Sequence, residues 1–292
     1  MEAVDWTRIT RLWAYPGRNR SARARWEYIG RSQSDATHMM DGSAGEADLR
    51  RRGGRMARTL AAALGITGDQ QVLEVGCGLG RVGREMAPLC ATYTGVDISR
   101  SLLRRAARRN RHLPNVTLRH LARQGDHGDG LDGLEDGTWD RIYCHLVLLH
   151  LNEAAILSLL KGMRRVLAAD GLVYLDAWNR NHPHVMELSR GEKLDPSLQR
   201  QPHRSRFYGR PEVEGWLAAA SLQAVWISDE SFLVQVVAAH SDCSPEALAA
   251  ARERLAQNAV HLIPRGRLDF HVPDDDGVSA AETNRGAGTA ES

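Results

Sequence analysis

Short apolar runs that close on a turn and give way to helically spaced apolar residues set the plan of this chain. Val72-Leu73-Glu74-Val75 is the first run, Tyr93–Ile98 the second, Val116–His120 the third, Trp139–Leu146 the fourth and Leu172–Ala177 the fifth. Runs of this length, separated by helical stretches, predict strands of a parallel sheet covered on both faces. The intervening helices are expected at Asp48–Leu64, Ser101–Arg111 and Glu153–Leu167. Gly53-Gly54 weakens the middle of the first of these, and Asn152 is a good N-cap for the last. Ala169-Asp170-Gly171 supplies its stop. Pro211–Ala220 then reads as a helix opened by proline, followed by two strands, Leu222–Ile227 and Phe232–Ala239, and a helix over Pro245–Ala256. The alternation predicts an α/β fold.

The turn after the first run carries the most chemistry. Glu74 is followed by Gly76-Cys77-Gly78-Leu79-Gly80-Arg81, a G-x-G-x-G spacing distinct from the G-x-G-x-x-G of dinucleotide sites. Glycine lets backbone N–H groups approach a ligand, and such a turn between strand and helix cradles a nucleotide-like molecule. The second run ends in Asp97, where a carboxylate can accept hydrogen bonds from ribose hydroxyls.

Glu74, the three glycines and Asp97 together resemble motif I and the following acidic motif of class I S-adenosylmethionine (SAM)-dependent methyltransferases. Trp139-Asp140-Arg141-Ile142-Tyr143-Cys144-His145 resembles that family's fourth strand and methionine-binding loop, and Arg165-Val166-Leu167-Ala168-Ala169-Asp170-Gly171 resembles its "RVLkPGG" turn without the proline. The resemblance covers about residues 48–240. It implies a Rossmann-like seven-stranded sheet whose last strand is antiparallel, with SAM as cofactor. It also implies a SAM site built from Glu74, Gly76, Cys77, Gly78, Gly80, Arg81, Asp97, Ile98, Cys144 and His145. Glu74 would orient the loop or the methionine ammonium, Ile98 would pack on adenine, and Cys144 and His145 would act chiefly through backbone. The adenine amine would meet Asp126 or Asp129, in a loop longer than the family's usual one.

Residues 1–47 carry a concentration of aromatics (Trp6, Trp13, Tyr15, Trp26, Tyr28) in a chain only 5% aromatic. They are expected to form a helical cap on the core, a lid over the methyl donor, or both. Residues 178–209 are polar and hold His182, His184 and His203. They are expected to overhang the strand ends as a substrate lid, without the close spacing a metal site needs. Trp26, Tyr28, Trp178 and Asn179 are candidate acceptor contacts. His150, within Leu148-Leu149-His150-Leu151, is the candidate general base or acceptor-orienting group, since an imidazole titrates near neutrality. Capping of the next helix is its alternative role. Residues 241–263 are read as a C-terminal helix and 264–292 as a disordered tail, where apolar periodicity disappears.

Composition narrows the partners. Of 38 Lys+Arg residues only Lys161 and Lys193 are lysine, yet the net charge is +2, so the arginine clusters read as solvated helix faces and nucleic acid is not the expected partner. The four cysteines show neither metal-ligand nor disulfide spacing, and no apolar run is long enough to span a membrane. Met1–Trp6 lacks the pattern of a secretory signal. The expectation is a cytoplasmic monomer or homodimer, without metal, that transfers a methyl group in line to an oxygen or nitrogen of a small molecule. The alternatives are an RNA or protein methyltransferase, non-methylating SAM chemistry such as cyclisation, and a non-catalytic SAM-binding module.

Overall fold

The computed structural model describes residues 22–39, 45–121, 129–183, 185–186 and 206–258. Two short helices, α1 (Ala22–Ile29) and α2 (Gln33–Met39), precede the long α3 (Glu46–Leu64). There follow β1 (Gln71–Val75), α4 (Arg81–Met86), β2 (Thr92–Asp97), α5 (Arg100–Asn110), β3 (Val116–His120) and β4 (Trp139–Cys144). A 3-10 turn at Leu148–His150 leads into α6 (Glu153–Val166), β5 (Leu167–Asn179), β6 (Phe207–Tyr208), α7 (Arg210–Ala219), β7 (Leu222–Ser228), β8 (Leu233–His240) and α8 (Pro245–Asn258). The strand order is β3-β2-β1-β4-β5-β8-β7, with β6 added to the end of β5. Strands β1 to β5 run parallel, and β8 lies antiparallel to both β5 and β7.

Side-chain alternation along each strand builds two separate cores. Leu73, Val75, Ile142, Cys144, Val173 and Leu175 face α6 and α7, whereas Val72, Tyr93, Tyr143 and Tyr174 face α3, α4 and α8. Such a three-layer arrangement puts the connecting loops at the strands' C-terminal ends. The chain reverses its winding between β1 and β4, and the crevice outside that point is where ligands bind in open α/β sheets.

Three local features depart from the sequence reading. The fifth strand begins at Leu167 rather than Leu172, because Ala168–Gly171 is absorbed as an irregularity between the Trp139–Leu167 and Arg141–Leu172 pairs. The ends of the 178–209 segment are strand, with Trp178 and Asn179 paired to Phe207 and Tyr208. Gly53 lies within an unbroken α3, where glycine has a packing reason. A Cβ there would stand 2.3 Å from the Arg81 carbonyl oxygen, so glycine lets α3 lie directly against the first residue of α4. Asp126, His184, His203 and the C-terminal tail lie outside the described residues.

Candidate active site

The turn between β1 and α4 is fixed from beneath. Gly76, Gly78 and Gly80 have φ of 78°, 52° and 68°, in the left-handed region that side chains other than glycine's rarely adopt. The Gly76 and Cys77 N–H groups donate to Val96 O at 2.8 and 3.0 Å. Gly76 has a second requirement, because a Cβ there would come within 2.3 Å of Val147 Cγ2. The glycine turn and the loop after β4 therefore touch. Glu74, below the turn, accepts hydrogen bonds from Tyr93 and Tyr143 and is buried. Burial pushes its carboxyl up, against the phenol donors and the Arg81 charge.

Asp97 closes the other side. Its two oxygens accept N–H groups of Gly78 (2.9 Å) and Ser99 (2.8 Å), which joins the glycine turn to the end of β2. Burial raises its carboxyl to about 6 despite the donors from Ser99, Gly78 and Ile98. Each oxygen keeps lone-pair capacity beyond its backbone bond, so the carboxylate can still receive hydroxyl donors. Ile98 packs at the margin of the larger core, and Arg81 is buried at the start of α4.

The loop after β4 carries His145, and a buried carboxylate on the neighbouring strand holds it. His145 Nδ1 bonds to Asp176 Oδ2, while Asp176 Oδ1 accepts Leu146 N–H at 2.7 Å. Sequence reasoning passed over Asp176. The signal was present, since a lone acid inside Leu172–Trp178 has no other reason to lie in an apolar strand.

Helices α1 and α2 cap this end of the sheet. Glu27 bonds to the hydroxyls of Ser99 and Ser101 and accepts Ser101 N–H at 3.0 Å, directly after Asp97. Burial pushes the Glu27 carboxyl up, but the Ser101 and Ser99 donors and the Arg104 charge together hold it below the usual range. Arg105 fastens the cap further through Gly30 O and Gln33. Trp26 meets His150 edge to face, with ring centroids 5.0 Å apart. We expect Glu27→Ala to expose residues 22–39 to proteolysis earlier than in wild type and to weaken donor binding several-fold. Unchanged digestion and affinity would show that the cap does not depend on this carboxylate.

The side chains of Asp129 and Asn179 are engaged elsewhere. Asp129 bonds to Arg165 on α6 and accepts Leu131 N–H, so its carboxylate anchors the loop before β4 rather than reaching toward adenine. Asn179 donates to the carbonyls of Asp229 and Ser231 and accepts Asn181 N–H. Its amide thus clasps a turn in place of contacting an acceptor. Trp178 packs among Leu149, Val185 and Leu233 and against the Phe207 ring. Tyr28 is half-buried on the cap. Cys77 and Cys144 are buried, and burial pushes both thiols well up, which keeps them as small apolar groups. Among the described residues no group of three or more acids, histidines or cysteines could hold a metal, and no helix is long and apolar enough to cross a membrane.

Residues 73–173 match the family model described as a methyltransferase domain. Those residues form a methyltransferase domain, and its fold is that of the class I methyltransferases. Among curated proteins this domain is similar to a ubiquinone biosynthesis O-methyltransferase of Xanthomonas oryzae, 27% identical over 167 residues, covering 56% of this chain and 66% of that protein. The corresponding protein of Pseudomonas aeruginosa is 27% identical over 169 residues, with 54% and 66% covered. The matches thus span just under two thirds of these relatives. A SAM-dependent methyltransferase of Methanosarcina mazei shares the fold with a TM-score of 0.50 at 17% identity, covering 60% of this chain and 93% of that one. A chain of the Haloferax volcanii complex between the Trm112 methyltransferase activator and a methyltransferase does so with a TM-score of 0.53 at 13% identity, covering 70% and 95%. The class I methyltransferase fold expected from the glycine turn and Asp97 is the one found, with the two-residue β6 as an addition to its seven strands.

Proposed function

We propose that this methyltransferase transfers the methyl group of SAM to an oxygen of a small-molecule acceptor. The observation that carries the reading is the joining of the glycine turn to Asp97 at the point where the sheet reverses its winding, with the β4 loop in contact across the turn. Gly76, Gly78, Gly80 and Arg81 would line the methionine and ribose portions, Asp97 would take the ribose hydroxyls and Ile98 would flank adenine. When bound, SAM supplies a methyl carbon on a positively charged sulfur. The protein's part is to hold the acceptor in line with it, which can account for much of the acceleration. Preference for oxygen over nitrogen rests on the O-methyltransferases among the relatives, and Trp26, Tyr28 and Trp178 remain the proposed acceptor walls. A second reading, an RNA acceptor, is favoured by one observation: a cleft lined by Arg84, Arg105, Arg108, Arg109, Arg111 and His112, together with Gln33 and Glu46. Salt-sensitive RNA binding would support it.

Calorimetric titration of SAM across pH tests the primary reading. An acid whose folded pKa is raised holds its proton over the window between the unfolded value and about 6, so its charge appears in the fold only as pH climbs through that window. The native state's own stability should lose the Asp97 contribution over the same rise. Hydroxyl donors favour the charged form, so SAM should bind about tenfold more tightly at pH 7 than at pH 5. That dependence should vanish in Asp97→Asn. Failure of the folded protein to bind SAM at any pH would sink the proposal. Transfer of labelled methyl to phenols rather than amines would then fix the acceptor atom.

A further inference from the structure

We propose that His145, oriented by Asp176, is the general base of the transfer, and that His150 is not. The inference rests on the methyltransferase reading above and assigns the residue that removes the acceptor's proton. Strand β4 ends at Cys144, so His145 is the first residue of the loop that touches the glycine turn through Val147. Cys144 pairs with Leu175, which brings His145, just past the end of β4, next to Asp176 on β5.

Three donors converge on the Asp176 carboxylate. Leu146 N–H reaches Oδ1 at 2.7 Å, Tyr174 O–H reaches Oδ2 at 3.1 Å, and His145 Nδ1 meets Oδ2. Gln235, paired with Asp176 across to β8, donates to the Tyr174 oxygen at 3.0 Å, which directs the tyrosine's own proton toward the carboxylate. A carboxylate surrounded in this way only accepts, so Nδ1 carries the ring proton and Nε2 presents a lone pair. Nε2 makes no hydrogen bond among the described residues. The His145 side chain is 12% exposed, whereas that of Asp176 is fully buried.

The backbone supports the same assignment. Leu146 sits at φ 58°, a conformation unfavourable for a bulky residue, and its N–H is the one that Asp176 holds. One buried carboxylate therefore sets both the ring orientation and the strained backbone step beside it. The other titratable groups facing the pair are Glu74 from β1, Cys144 from β4 and Tyr174 from β5. His150, by contrast, lies in the 3-10 turn in a T-shaped contact with the Trp26 ring, a contact that suits holding the cap. In the transfer, an acceptor hydroxyl oxygen forms its bond to the methyl carbon and the carbon–sulfur bond breaks, leaving its electron pair on sulfur. The hydroxyl proton passes to His145 Nε2, and the imidazolium so formed faces Asp176.

The test uses the full chain, with SAM calorimetry as the control. His145→Gln should bind SAM within about threefold of wild type yet lose about a hundredfold or more in kcat for methyl transfer to catechol, within the range of general-base effects. His145→Ala should recover part of the rate with added imidazole, and His150→Gln should change KM more than kcat. A His145→Gln kcat within about fivefold of wild type would overturn the assignment. Histidine ring 15N NMR gives a reading without any acceptor: at mildly alkaline pH His145 should carry its proton on Nδ1, and Asp176→Asn should redistribute it. A proton on Nε2 in the wild type would equally overturn the proposal. Absence of SAM binding by wild type would instead remove the functional reading beneath it.

Discussion

Replacing Asp97 with alanine should cost SAM affinity about a hundredfold, measured by calorimetry. The expected loss has two sources. The side chain would no longer accept the ribose hydroxyls, and its removal orphans the N–H groups of Gly78 and Ser99, both bonded to it in a buried setting. Hydrogen bonds to a charged group are worth about 1.5–3 kcal/mol, and each 1.4 kcal/mol is a factor of ten in binding, whereas the orphaned donors lower stability and loosen the site. Since the two donors lie on different loops, the glycine turn and the start of α5 should both loosen. Amide hydrogen exchange should therefore accelerate at Gly78 and Ser99 together. A loss confined to affinity, with protection unchanged, would mean that Asp97 acts on the ligand alone.

Gly76→Ala should be the second large effect, and a double-mutant cycle can divide it. One part is the left-handed φ of 78°, which costs an alanine about 1–2 kcal/mol. The other is the overlap of its Cβ with Val147 Cγ2 at 2.3 Å, which would push the β4 loop away from the turn. Val147→Ala removes the second part and leaves the first. We expect Gly76→Ala to destabilise the protein by about 2–4 kcal/mol in denaturant titration and to abolish measurable SAM binding. The double variant should recover part of the stability. Strict additivity of the two substitutions would show that the loops do not press on one another.

The parallel sheet was legible because its strands are short runs separated by helically spaced stretches, with glycine after β1 and an acid at the end of β2, features that depend only on neighbours in sequence. The meeting of Glu74, Gly76 and Asp97 around one turn was legible for the same reason, since they lie within one βαβ unit whose spacing geometry enforces. Asp129 misled because an acid in a long loop shows nothing of its partner, and Arg165 is on a helix that begins after the next strand. Asn179 misled likewise, since its partners Asp229 and Ser231 arrive only when β8 folds back along β5. The Asp176 contacts were hidden by register: pairing of β4 with β5 brings His145 beside it, and no local pattern encodes that pairing. Gly53 looked like a defect by propensity, and its value appears only when α4 arrives against it.

Glu27 gives the cap a consequence beyond enclosure. Helix α5 begins with Ser99 accepting Leu102 N–H, and the next free donor, on Ser101, is satisfied by a carboxylate from a segment more than seventy residues earlier in the chain. A negative group at a helix start also complements the helix dipole. Cutting away the residues before α3 would therefore do more than open a door. It would strip the electrostatic keystone from the helix that follows Asp97, and the shortened protein would resemble a loosened enzyme more than an open one.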